Sequence, residues 1–142
     1  MRLPVNKGLV FLAVLLAAAL VFSACGGGHT RPETAATKAY IKGGATLYEA
    51  NCVKCHGGRT GGKLKDMPPR HNANGHTWHH ADQQLKDMTL NGITFSLEEQ
   101  RMPAFKGKLS EEDVRAILAY IKTWWTEDQR DEQRKVTEQW NR

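Results

Sequence analysis

Cys52-Val53-Lys54-Cys55-His56 is the stretch that decides how the rest of the chain is read. Two thiols three positions apart can each add to one vinyl group of a single haem, and the adjacent imidazole then reaches the iron as proximal ligand. A redox dithiol or a zinc-binding Cys-x-x-Cys pair has no need of His56. The pattern is short enough to arise by chance, so its surroundings must carry the argument.

Working outward, Gly44 stands eight residues before Cys52 and Tyr48 four before it. Towards the C-terminus come Met102-Pro103 and then the segment Ile117-Leu118-Ala119-Tyr120-Ile121-Lys122. With these features in this order, the region from Lys42 to Trp125 resembles the class I monohaem cytochromes c. The resemblance implies an all-α cytochrome c fold, three to five short helices around one covalently bound haem c. It makes Cys52 and Cys55 the attachment thiols and His56 and Met102 the axial ligands. Gly44 and Tyr48 become pocket support, with an aromatic of the last helix packed against Gly44. It also implies that a proline carbonyl in the loop after His56 accepts the Nδ1 hydrogen of that ring, fixing it and tuning the iron. Pro68 and Pro69 both qualify; Pro68, twelve residues after His56, is favoured.

Three methionines follow His56. Met67 precedes a proline but lies only eleven residues on, with little chain to reach the opposite haem face. Met88 falls inside a helical pattern with Leu85 and reads as core. Met102, 46 residues on, has chain enough to wrap the haem edge. The residue before a proline is pushed out of the helical region, which lets the Met102 side chain turn inward. A histidine of the 76–80 cluster is the remaining competitor. Thioether ligation gives a higher reduction potential than two histidines.

Residues 1–24 read as an export signal. Arg2 and Lys7 precede an apolar run of about 14 residues, Leu9 to Phe22, shorter than the ~20 a spanning helix needs. Phe22-Ser23-Ala24-Cys25 resembles the lipobox of bacterial lipoproteins, with Phe22 in place of the usual Leu, and makes Cys25 the lipidated residue. Two or three acyl chains give stable attachment. All three cysteines are then used, Cys25 for lipid and the other two for haem. Residues 25–37, rich in glycine at their start, read as a flexible tether in which His29 is solvated.

Residues 38–125 read as the haem domain. A first helix is expected from about Lys38 or Lys42 to Asn51. Gly43-Gly44 would cost it ~1 kcal/mol per glycine, a cost that makes sense if Gly44 permits a close crossing. Residues 57–75 are a loop. His76-Thr77-Trp78-His79-His80 is expected to cover a haem edge with Trp78 inward, and its three imidazoles also offer a copper or zinc site. Asp82 is expected to cap a helix to Asn91, and Ser96 with Glu99 another turn. Ser110 caps the last core helix, whose apolar face is Val114, Ile117, Leu118, Ile121 and Trp125. Residues 126–142 read as a charged, solvated helical extension folded back on the domain, with Val136 and Trp140 its one apolar pair; a partner-docking tail is the alternative.

Lys and Arg outnumber Asp and Glu by five, an excess that falls to three once Arg2 and Lys7 leave with the signal. No basic block or aromatic-interleaved basic stripe points to nucleic acid. Two axial protein ligands leave iron no open position for substrate, so the chain reads as an electron carrier, not an enzyme. Lys54, Lys63, Lys65, Lys106 and Lys108 would steer an acidic redox partner: a bc-type complex, a terminal oxidase, a copper protein or a reductase. The expected location is the periplasmic face of a bacterial membrane. The alternatives are a haem enzyme with a labile sixth ligand, peroxidase-like or acting on sulfur compounds, and a cytochrome with an added copper role through His76, His79 and His80.

Overall fold

The computed structural model describes residues 34–61, 68–94 and 101–142. The expected export signal, Cys25, His29, Lys63, Lys65, Met67 and the expected turn at Ser96 and Glu99 lie outside the described residues.

Among the described residues five helices carry the fold: α1 (Ala35–Asn51), α2 (Val53–His56), α3 (Asp82–Asn91), α4 (Glu111–Lys122) and α5 (Glu127–Trp140). A 3₁₀ turn at Thr77–His79 precedes α3. A two-residue antiparallel ladder joins β1 (Ile93–Thr94) to β2 (Arg101–Met102). No helix among the described residues is long and apolar enough to cross a membrane.

Helix α1 begins at Ala35, inside the stretch expected to be tether and ahead of Lys38, because Thr34 supplies a cap. Its hydroxyl accepts the Thr37 amide at 3.1 Å, satisfying one of the donors a helix start leaves free. Gly44, Tyr48 and Cys52 recur every fourth residue and form the buried stripe of this segment. That stripe packs against α4, which presents Val114, Ala116, Ile117, Leu118 and Ile121. Ser110 and Asp113 form a reciprocal capping box at the α4 start, and three acids in its first turn suit the positive helix end.

Gly44 is the contact point of the two helices. A Cβ there would lie 2.0 Å from the Ala116 carbonyl oxygen and 2.4 Å from its carbon. The expected close crossing is therefore present, but α4 meets Gly44 with backbone, not with an aromatic. Tyr120 and Trp124 instead pack edge-on against Tyr48, at ring-centroid distances of 5.8 and 5.1 Å. Trp124 and Trp125 follow the last turn of α4 and close the core from below it.

Asp82 is not the cap of α3. Ala81, fully buried, holds the extended cap position and Asp82 is the first helical residue. Its carboxylate is engaged elsewhere, accepting from Lys122 Nζ at 2.7 Å and Gln133 Nε2 at 2.7 Å. Leu85 is buried as expected, whereas Met88 is only half-buried.

Helix α5 starts where Thr126 and Gln129 form a second capping box. It does fold back on the domain, packing on the 3₁₀ turn and α3. Its inward contact is polar: Gln133 is 2% exposed, while Trp140 is 56% exposed.

Candidate haem site

The attachment pentapeptide sits in the break between α1 and α2. The Cys52 amide closes α1 on the Tyr48 carbonyl at 2.8 Å, and the His56 amide reaches the Cys52 carbonyl at 2.9 Å. One helical turn thus carries both thiols and the imidazole. Gly57 then ends α2 at φ 72°, a left-handed conformation that glycine adopts without strain. Its carbonyl accepts the buried Tyr48 hydroxyl at 2.7 Å, so Tyr48 braces the turn from beneath.

Neither thiol forms a disulfide; Cys52 is buried in the core cluster and Cys55 is exposed. Burial, with Cys55 adding to it, pushes the Cys52 thiol up to about 11. A reactive thiol needs the opposite shift, so Cys52 is not an activated nucleophile. His56 is buried, and that burial lowers its pKa against the pull of a carbonyl hydrogen bond. A neutral imidazole is the form that ligates metal.

The carbonyl that holds His56 belongs to Pro69, not to the favoured Pro68: Nδ1 lies 2.7 Å from the Pro69 oxygen. With Nδ1 engaged, Nε2 is left for a metal.

His71 was not singled out by its sequence position, yet its ring stacks on His56 with centroids 4.2 Å apart and planes at 25°. Its Nδ1 meets the buried Thr77 hydroxyl at 2.8 Å. Desolvation, reinforced by His56 and His76, pushes it down to about 3, so it is neutral at ordinary pH. Asn72, also buried, donates to the Arg59 carbonyl and accepts the Asn74 amide, folding this loop back on the segment after His56. No periodicity marks either residue; only the two preceding prolines hint that the loop is shaped.

Trp78 is half-buried against the core cluster, with its indole N–H on the Gly75 carbonyl at 2.9 Å. The three histidines around it diverge. His79 stacks on Trp78, while His76 and His80 meet edge-on at 5.6 Å. Among the described residues no group of three or more His, Cys, Asp or Glu converges on a metal-sized point.

Met102 occupies β2, paired with Ile93, and is half-buried against the core. Just beyond it, the Phe105 and Lys106 amides bond the Thr89 and Leu90 carbonyls of α3 at 3.1 and 2.9 Å. Met102 is therefore fixed on both sides by backbone bonds. Lys54, Lys106 and Lys108 are exposed.

The donor set fits a haem. It offers two thiols and an imidazole on one turn, a thioether on a tethered strand, and a charged group with spare capacity. The last is Arg70, whose Nε is buried without a partner among the described residues, suited to an anionic ligand group.

An all-α fold that crosses its first and last core helices beside a Cys-x-x-Cys-His turn defines the class of small c-type cytochromes. Residues 39–121 match the family model described as cytochrome c oxidase, cbb3-type, subunit III. Cytochrome c6 of Tetradesmus obliquus is 31% identical over 81 residues, which cover 55% of this chain and 83% of the relative. No solved structure gives a match. The chain belongs to this cytochrome c family, as a monohaem class I cytochrome and an electron carrier with covalently attached haem c.

Proposed function

We propose that the chain is a lipid-tethered electron carrier in which Cys52 and Cys55 hold the haem by thioether bonds and His56 and Met102 ligate its iron. The observation that carries this reading is His56 itself, buried beside both thiols with Nδ1 held by the Pro69 carbonyl at 2.7 Å. That bond orients the ring and strengthens it as a donor. Tyr48 and Gly44 support the turn beneath it, and Trp78 closes the loop side. The haem supplies one-electron chemistry when bound; the chain's part is to bury it, supply fixed ligands and leave an edge for docking.

Export by residues 1–24, lipidation at Cys25 and residence on the periplasmic face of a bacterial membrane complete the reading. Covalent haem attachment in bacteria takes place outside the cytoplasm, which agrees with export. The partner is another exported or membrane redox protein, and the family description favours a terminal oxidase over a bc-type complex, a copper protein or a reductase. Exposed Lys54, Lys106 and Lys108 supply the steering charge.

The test is purification from membranes, followed by spectroscopy. Haem retained after denaturation and a weak near-infrared methionine–iron band are expected. Met102→Ala should lose that band and gain carbon monoxide binding in the ferrous state. Haem released by denaturation would sink the attachment sites, and an unchanged band in Met102→Ala would sink the sixth ligand. Cys25→Ser should move the protein from the membrane to the soluble fraction; continued membrane residence would refute the lipid tether.

A further inference from the structure

The matched family region ends at residue 121, yet four side chains beyond it are wired to one loop. Gln129, Gln133 and Thr137 recur every fourth residue and share one face of α5, and Trp125 stands just before its Thr126 cap. The Trp125 indole N–H donates to the His71 carbonyl at 2.7 Å. Gln129 Nε2 donates to the Ala73 carbonyl at 2.9 Å. Gln133 Nε2 donates to the His80 carbonyl at 3.2 Å and to the Asp82 carboxylate at 2.7 Å. The Asp82 amide in turn donates to the Thr137 hydroxyl at 3.1 Å.

All of these partners lie on the stretch that follows Pro69, whose carbonyl holds His56. That stretch has only one 3₁₀ turn of regular structure, so its backbone groups need partners from outside. The contact nearest the ligand is the Trp125 bond to His71, the residue that stacks on the His56 ring.

We propose that Trp125 and the polar face of α5 form a strap that positions His56, acting through the His71–Asp82 loop and the Pro69 carbonyl. Trp125 is its principal positioning residue. The proposal rests on His56 being the proximal ligand. The carbonyl bond makes the imidazole a stronger donor, and a stronger donor favours ferric over ferrous iron. Loosening the strap weakens that bond and raises the reduction potential.

The experiment uses the full-length haem-loaded protein. Trp125→Phe keeps an aromatic ring but removes the N–H together with part of the indole; Gln129→Ala removes the next contact and leaves the core filled; Asp113→Asn, at the far end of α4, is the control that lowers stability without touching the loop. In Trp125→Phe the ferrous:ferric ratio at fixed potential should rise about threefold, roughly 28 mV at 59 mV per tenfold for one electron. The hyperfine-shifted Nδ1 proton of His56 in the ferric form should exchange faster with solvent as its bond to Pro69 loosens, and amide exchange of residues 71–82 should quicken. Gln129→Ala should move all three readouts the same way by less, and Asp113→Asn should move none. An unchanged or lowered potential in Trp125→Phe overturns the strap, as does an equal shift in Asp113→Asn. A wild-type ferric protein without hyperfine-shifted ring protons of an axial histidine in its proton NMR spectrum overturns the ligand assignment instead, so the two failures are distinguishable.

Discussion

Gly43 and Gly44 are adjacent in one helix and should respond to alanine with opposite signs. At Gly43 nothing lies within 4 Å of an added Cβ. Gly43→Ala therefore gains only helix propensity and loses unfolded-state freedom, and should stabilise by about 0.5–1 kcal/mol. At Gly44 the new carbon would sit 2.0 Å from the Ala116 carbonyl oxygen and 3.1 Å from the Ile117 nitrogen. These are backbone atoms in the middle of α4, so no side chain can rotate away. Restoring ordinary contact at 3.4 Å requires α1 and α4 to part by more than 1 Å at their crossing. A gap of ~0.5–1 Å already forfeits a quarter to a half of the dispersion well for each atom pair across it. Overpacking typically costs ~1–3 kcal/mol, and an unyielding neighbour puts this site at the upper end. Subtracting ~1 kcal/mol of propensity gain leaves a net loss of about 2 kcal/mol for Gly44→Ala. Urea unfolding of the haem-loaded variants, followed by far-ultraviolet circular dichroism and linear extrapolation, measures both. A Gly44→Ala protein as stable as wild type would refute the close-crossing argument, and so would two substitutions of the same sign.

Tyr48→Phe removes the hydroxyl that satisfies the Gly57 carbonyl at 2.7 Å, and should cost ~1–2 kcal/mol in the same urea assay; no loss would mean that the carbonyl finds another partner. Hydrogen bonds from the Ser110 hydroxyl and amide hold the Asp113 carboxyl below the usual range. Its contribution is therefore complete above its unfolded pKa and is lost as pH falls through the folded one. The stability gap between wild type and Asp113→Asn should be largest at neutral pH and close in acid; a gap that widens in acid contradicts the cap. Lys86 is 8% exposed and pairs with the exposed Glu111 at 2.6 Å. Lys86→Met keeps the buried stem and removes the charge, so it should be milder than Glu111→Gln, which strands a buried ammonium; thermal melts with the reverse ranking would refute this.

Legibility in the sequence followed the kind of interaction involved. The haem-attachment turn, the Gly44 crossing, the Ser110 cap and the apolar face of α4 all rest on local spacing, and local spacing is written in the chain. The departures from expectation share a different cause. Pro69 rather than Pro68 holds His56 because the choice depends on how the loop after Gly57 curls, and spacing alone does not encode that curl. Asp82 looked like a cap because aspartate often is one, but Lys122 and Gln133 claim its carboxylate from forty and fifty-one residues away. His71 went unnoticed because its significance is a stack on a ring fifteen positions earlier.

Helix α5 shows the limit most clearly. Residues 127–142 offer only Val136 and Trp140 as an apolar pair, so the sequence reads as a solvated extension folded back on the domain with no sign of what holds it there. The stripe that folds it down is polar: Gln129, Gln133 and Thr137, with Trp125 bonding the same loop from just before the helix. Such a stripe has value only opposite unpaired backbone groups, and the loop from His71 to Asp82 presents three carbonyls and one amide in reach of it. Each of these bonds is worth ~0.5–1.5 kcal/mol net, while leaving a buried partner unmade costs ~1–3 kcal/mol. The helix and the loop therefore depend on each other. A chain of this family that ended at Lys122 would have to satisfy the same loop with other donors or give it a different path past His56. On the strap proposed above, the long loop after the attachment turn and the helix after the core are two halves of one solution to holding His56.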